Sequence, residues 1–236
     1  MEYRQYRRLK DLEEHAGSTG EVRVRVSRIW NHYLPNWTVA GINLILVDEF
    51  NGRIHAWLNS VFFKKQREHF EEGKTIVIQN FVVRKYKAGL TRKCFSNDKH
   101  ISLTNSTTVT PTEVPSSIIP HDIFDFVKLD KIWRYGIDHE HLIDVIDIIE
   151  LVHPIHEFKD IYNHNHCFIN FTIVDDSEMA KSFSRTLALQ KEDRVVVIIS
   201  SCLVNIFHGI CAMTNMDATR YFINPNHPAT LKMLSG

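Results

Sequence analysis

Between Gly20 and Thr112 the chain runs through short stretches of alternating apolar and polar residues, breaks once into helical spacing, and then alternates again. Few small folds accommodate that order. Val22, Val24 and Val26 alternate with Arg23, Arg25 and Ser27, Ile42 to Val47 is a continuous apolar run, and Asp48-Glu49-Phe50-Asn51-Gly52 supplies a turn ahead of Arg53 to Leu58. Three strands in meander order are predicted. Ser60 to Phe70 carries Val61, Phe62, Arg67 and Phe70 at mixed helical spacing, with Gly73 where a helix stops. Strand spacing resumes at Thr75 to Tyr86, passes through a basic hairpin around Lys87-Ala88-Gly89-Leu90, and returns by His100 to Val109.

Three strands, a helix and two strands is the order of the OB-fold, a five-stranded Greek-key barrel whose second and third strands, with their flanking loops, bind oligonucleotides. A second such series follows. Pro111, Pro115 and Pro120 punctuate a linker, and Ile123 to Trp133 reads as an acidic helix. Strands are then predicted at His141 to Val152, Cys167 to Val174, Phe183 to Leu189, Arg194 to Ser200, Leu203 to Phe207 and Ile210 to Met213, with Asp175-Asp176-Ser177 as a turn. The predicted architecture is mainly β: two tandem OB-fold five-stranded barrels joined by a short helical linker. Residues 1–19 form a charged helical extension, 20–112 the first barrel, 113–136 the linker, and 137–236 a second barrel shortened between its third and fourth strands.

Composition narrows the function classes. Of the 236 residues, 44% are apolar and the formal net charge is zero, but the charge is unevenly placed. Arg53 to Lys99 holds eleven Lys or Arg against four Asp or Glu, whereas His121 to Asp160 holds four against ten. No stretch approaches a membrane span and the start lacks an apolar leader, so a soluble intracellular protein is expected. Cys94, Cys167, Cys202 and Cys211 form no C-x-x-C pair, which points to free thiols. His153-x-x-His156 and His164-x-His166 suggest a zinc loop, but the first pair spans Pro154 without helical spacing and no cysteine of that loop precedes Cys167. No metal and no cofactor are expected. Neither a nucleophile and base pair nor a phosphate-binding glycine loop is defensible from spacing, so no enzymatic activity is expected.

Several short motifs, in order, resemble the tandem DNA-binding domains of the replication protein A large subunit, particularly its plant-like branch. Arg28-Ile29-Trp30 resembles the end of that family's first strand, Leu46-Val47-Asp48-Glu49 with Gly52 and Ile54 its second hairpin, and Glu72-Gly73-Lys74 through Gln79-Asn80-Phe81-Val82-Val83 its fourth strand. Asn105-Ser106-Thr107-Thr108-Val109 resembles the closing strand, and Phe124-Asp125-Phe126 the entry to the next barrel. Leu142 to Ile146, Phe207-His208-Gly209 and Ile223-Asn224-Pro225 continue the likeness through the second barrel, which lacks the family's Leu-Trp-Gly segment. The resemblance implies single-stranded DNA as ligand, replication protein A-like subunits as partners, a nuclear setting in replication, repair or recombination, and a DNA-binding pair or small paralogue.

A strand binder needs cations for phosphates and flat side chains for unpaired bases. Counting from Gly52 places Ile54, Ala56 and Leu58 inward and His55 and Trp57 outward, although a one-residue slip would put Trp57 under the helix. Arg28 and Trp30 end the first strand, where the family contacts the nucleic acid, and a core role for Trp30 competes. Arg84, Lys85, Lys87, Arg92 and Lys93 crowd a hairpin that also carries Tyr86 and Phe95, with Phe95 expected to stack and Arg84 to meet phosphate. Phe207, beside His208 at a glycine hairpin, is the stacking candidate of the second barrel. A protein-interaction scaffold is the competing function, since OB-folds also serve as scaffolds.

Overall fold

The structure is a computed structural model that describes residues 6–14, 20–90, 92–138, 140–149, 156–159, 165–169, 173–176 and 195–235. It is mainly β and divides into two compact units, Met1–Leu90 with Asn97–Ile123, and Thr91–Ser96 with Phe124–Gly236.

The first unit is one curled sheet of seven strands: β1 (Glu21–Tyr33), β2 (Val39–Val47), β3 (Arg53–Asn59), β4 (Thr75–Gln79), β5 (Val82–Lys85), β6 (Lys99–Leu103) and β7 (Thr108–Thr112), in the order β5-β6-β3-β2-β1-β4-β7. All neighbours are antiparallel except β3 and β6, which run parallel. β5 continues β4 past a left-handed residue, Asn80 (φ 57°), and β7 continues β6 past the turn closed by Thr107 N–H on the Thr104 carbonyl. The ends of the sheet are thus the second halves of two bent strands, and the connections are those of the OB-fold.

Alternation fills the interior as predicted. Val22, Val24, Ile54, Ala56, Leu58, Ile76 and Ile78 are all essentially sealed from solvent. Between Val26 and Arg28 the β1 to β2 register shifts, so Ser27 is the extra residue of a bulge. The inward phase therefore passes from Val26 to Ile29, leaving Arg28 and Trp30 on the outer face. A run of short turns with α1 (Phe63–Gln66) at its centre follows β3, capped by the Asn59 side chain on Val61 N–H. Gln66 ties this run to the β6–β7 turn by donating to the Thr104 and Thr107 carbonyls at 2.8 and 3.0 Å.

Two buried charged side chains fasten segments outside the barrel strands. Asp48 accepts N–H bonds from Leu9 (2.7 Å), Phe50 (2.9 Å) and Gly52 (2.7 Å). Among the described residues 6–14 the predicted N-terminal helix gives way to one 3-10 turn, Leu9–Asp11, because Leu9 and Leu12 are drawn into the core and the backbone is held by Asp48. Arg25 donates to the carbonyls of Ile119 (3.0 Å), Gly73 (2.5 Å) and Val114 (2.8 Å), fixing the proline-rich segment after β7.

In the second unit, α2 (Ile132–Asp138) replaces the helix expected over Ile123 to Trp133, because Val127 N–H is engaged by the Asp144 carbonyl and Phe126 bridges to Asp144 in extended form. Gly136 lets α2 approach closely: a Cβ there would stand 2.8 Å from Ile206. β8 (Ile143–Ile149) and β14 (Arg220–Ile223) flank the thirteen-residue β12 (Val195–Phe207), which also pairs with β13 (Ile210–Thr214). The two strands expected around residues 194–207 are thus one strand. β12 kinks at Ser201 (φ 58°), whose N–H donates to the buried Asp144 at 2.9 Å, as does the Ser200 hydroxyl. The β12–β13 turn, His208 and Gly209, has φ of 50° and 77°, the left-handed pair typical of a tight hairpin. β9 (His156–Lys159), β10 (Asn165–Ile169) and β11 (Ile173–Asp176) form a separate three-stranded sheet. The strand predicted over Cys167 to Val174 is therefore divided between β10 and β11, and Asp175 and Asp176 pair within β11 rather than turning. α3 (Pro228–Leu234) closes the chain's described part. The strand predicted over Phe183 to Leu189 lies outside the described residues.

Removal of the Arg25 guanidinium leaves three carbonyls without their charged donor. Arg25→Ala should lower the unfolding free energy by about 3 kcal/mol in urea denaturation, against under about 0.5 kcal/mol for the exposed Arg84→Ala.

Candidate nucleic-acid interface

The register of the first sheet sets the outer-face side chains in rows. One row reads Arg28, Ile45, His55, His100 and Arg84; the next reads Trp30, Asn43, Trp57, Ser102 and Val82. Five strands and the β5–β6 connection therefore supply one patch.

Aromatic rings run across it. Trp30 stacks on His55 (6.2 Å, 19°), His55 on Tyr86 (6.0 Å, 8°), and Tyr86 on His100 (4.8 Å, 26°). Trp57 meets His32 edge-on at 5.6 Å and lies across Gly41, where a Cβ would come within 2.4 Å of the indole and 2.5 Å of the Leu58 carbonyl oxygen. Trp30 and Trp57 are both half-buried on the outside of the sheet, so neither enters the core or packs beneath the helix.

His55 is the hub. Its Nε2 donates to Asn43 Oδ1 (2.8 Å), which leaves Nδ1 as acceptor for the Tyr86 hydroxyl (2.7 Å). Burial, reinforced by neighbouring His100, pushes its pKa from the usual 6.5 down to about 3, so the ring is neutral throughout the physiological range. The His100 pKa is also lowered, by burial first and by Arg84 second, and its Nδ1 has no hydrogen-bond partner among the described residues.

Arg84, Lys85, Lys87 and Arg92 are exposed, and Arg92 adopts a left-handed conformation (φ 60°). Three expectations are corrected. Arg28 is 2% exposed and pairs with Asp122 at 3.8 Å, so its charge is spent inside the protein. Phe95 is 5% exposed and belongs to the second unit, where a buried ring offers no face to a base. Lys93 is bound to Glu140 at 2.9 Å. His208 is exposed at its hairpin, whereas the Phe207 side chain lies outside the described residues, as do His153 and His164 of the weighed zinc loop. Among the described residues no cluster of His, Cys, Asp or Glu is arranged to hold a metal. Sequence reasoning noted Tyr86 among the hairpin's aromatics without giving it a role, and it missed Asn43 and His100, whose place on this face depends on cross-strand register.

The fold and this face define an OB-fold protein with a ring-lined sheet. The chain belongs to the family described as domain of unknown function DUF223, which matches residues 14–134. No curated protein matches in sequence. Among solved structures, a chain of a replication protein A heterotrimer bound to single-stranded DNA superposes with a TM-score of 0.58 at 15% identity, covering 96% of this chain and 53% of that one. This chain therefore spans about half of that relative. The replication factor A related protein of Methanobacterium thermoautotrophicum gives 0.32 at 22% identity over 48% of this chain and 96% of its own. An OB domain of Methanosarcina mazei gives 0.35 at 13% identity over 48% and 87%.

Two outcomes check the site's geometry. Gly41→Ala should destabilise by about 1 to 3 kcal/mol and shift the near-ultraviolet signal of Trp57, because the added methyl meets both the indole and backbone. Since the folded pKa of His55 lies below its unfolded value, the unfolded chain binds the extra proton and stability falls as pH drops from about 6.5 towards 3. In His55→Asn the difference in Tm between neutral pH and about pH 4.5 should shrink.

Proposed function

We propose that this chain binds single-stranded DNA, with the outer face of the first sheet as its principal contact. The observation that carries the reading is the ring series Trp30, His55, Tyr86 and His100, with Trp57 alongside and the exposed Arg84, Lys85 and Lys87 at its border. Stacked bases contribute about 1 to 3 kcal/mol each without regard to sequence, and the cations neutralise phosphates. Neutral histidines suit the first task, since an uncharged ring needs no counter-ion to lie against a base.

In this proposal the two units are tandem OB-fold barrels joined by the short segment around α2, and the chain is a plant-like paralogue of the replication protein A large subunit. It acts in the nucleus in replication, repair or recombination, alongside related subunits and without catalytic activity. The likeness to a replication protein A chain bound to single-stranded DNA supports the ligand class. For the second unit a protein-interaction role competes, because residues 121–160 hold ten Asp or Glu against four Lys or Arg, a balance that suits a basic partner better than phosphate.

Titration with fluorescent oligo-dT of about 20 to 30 nucleotides tests the reading. It should bind more tightly than duplex of equal length, weaken as salt rises, and lose about tenfold in Trp57→Ala. Equal affinity for duplex, or an unchanged Trp57→Ala, overturns it.

A further inference from the structure

Among the described residues, four exposed large hydrophobic side chains belong to the second unit, and three of these stand on one short helical run: Leu129 (42% exposed), Trp133 (44%) and Ile137 (63%). The run joins the 3-10 turn Leu129–Lys131 to α2 without a break. Its other side is committed to the unit's own core. There Ile132 and Tyr135 pack against the cluster that holds Ile143, Val145 and Val204, and Gly136 lies against Ile206. A spacing of four residues sets the three outward side chains on a single stripe, so this face is apolar by pattern and not through one stray residue.

Charge borders the stripe on one flank. Asp130 and Arg134, each one position after a member of the stripe, are both exposed, and neither side chain has a hydrogen bond or an ion pair among the described residues. A partner carrying one sign of charge along this flank would be attracted by one of the two and repelled by the other. A second copy lying antiparallel removes the mismatch. A two-fold axis at Trp133 sets Leu129 against the partner's Ile137, Trp133 against the partner's Trp133, and Asp130 beside the partner's Arg134, so that each apolar side chain meets another and each charge meets its opposite.

We propose that the outward stripe of Leu129, Trp133 and Ile137 is a two-fold contact between two copies of this chain, kept in register by the Asp130–Arg134 pair formed twice across the axis. The inference goes beyond the single-stranded DNA reading and does not depend on it. Three apolar side chains from each copy are far fewer than the roughly 20 to 30 residues of a standard interface, so the pairing is weak and concentration-dependent, with a Kd on the order of 100 µM. Trp133, contributed by both copies at the axis, is its anchor.

Sedimentation velocity of the full chain from about 5 to 500 µM reads the contact, since association of this kind depends on concentration. The weight-average sedimentation coefficient should rise with concentration towards that of a dimer. Trp133→Glu, which brings two carboxylates together at the axis, should abolish the rise. Asp130→Arg and Arg134→Asp should each weaken association about tenfold, because each sets like charges opposite one another twice, and the double variant carrying both changes should return to the parent's curve. Thermal unfolding of all four variants should match the parent, as for exposed side chains, and recovery in the double variant is a readout that loss of folding cannot imitate. A parent chain that stays monomeric across the range, association that persists in Trp133→Glu, a single charge variant that associates like the parent, or a double variant that does not recover overturns the contact.

Discussion

The parallel pairing of β3 with β6 is the constraint from which the rest of the first unit follows. Parallel neighbours cannot be joined by a tight turn, so the chain must leave β3, cross through the short helical run and β4–β5, and return about forty residues later. That detour sets His55 beside His100 and Trp57 beside Ser102. It also brings Tyr86, at the end of the intervening strand, over the imidazole of His55. Without this one pairing the rings would belong to separate hairpins.

The arginines of the first unit show why counting charge is a poor guide to a surface. Arg23 is bound to Glu49 at 2.6 Å, Arg25 to three carbonyls, Arg28 to Asp122, and Arg53 to the Ile123 carbonyl at 2.9 Å. These four cations hold loops and the segment after β7 against the barrel. Of the positive charge read from residues 53–99, Lys65, Lys74, Arg84, Lys85, Lys87 and Arg92 are exposed.

Some of this was legible in the residues. The alternation starting at Gly52 is strict, and it correctly separated Ile54, Ala56 and Leu58 from His55 and Trp57. Asp48 and Gly52 carried a hairpin signal because the turn closes on a carboxylate, and a Cβ at Gly52 would press on that carboxylate at 2.9 Å. Other features had no local trace. The bulge at Ser27 reverses the phase of β1 without any proline or glycine to announce it. Arg28 is buried because Asp122, ninety-four residues away, comes to meet it. Phe95 lies in a basic, aromatic stretch of the kind that meets nucleic acid, yet its ring is buried. Burial is a property of partners distant in sequence, and a single chain's pattern does not name them.

Leu9 and Leu12 have a practical corollary. Both side chains sit in the barrel interior, and the backbone between them is bound by Asp48 at one end and by Lys99 on the Leu12 carbonyl at the other. The residues ahead of the first strand are thus a stopper for the barrel, although nothing in their charged composition suggests it. An excised first unit beginning at Gly20 would open an apolar hole and strip a buried carboxylate of one donor, so any fragment intended to fold alone has to start upstream of Leu9.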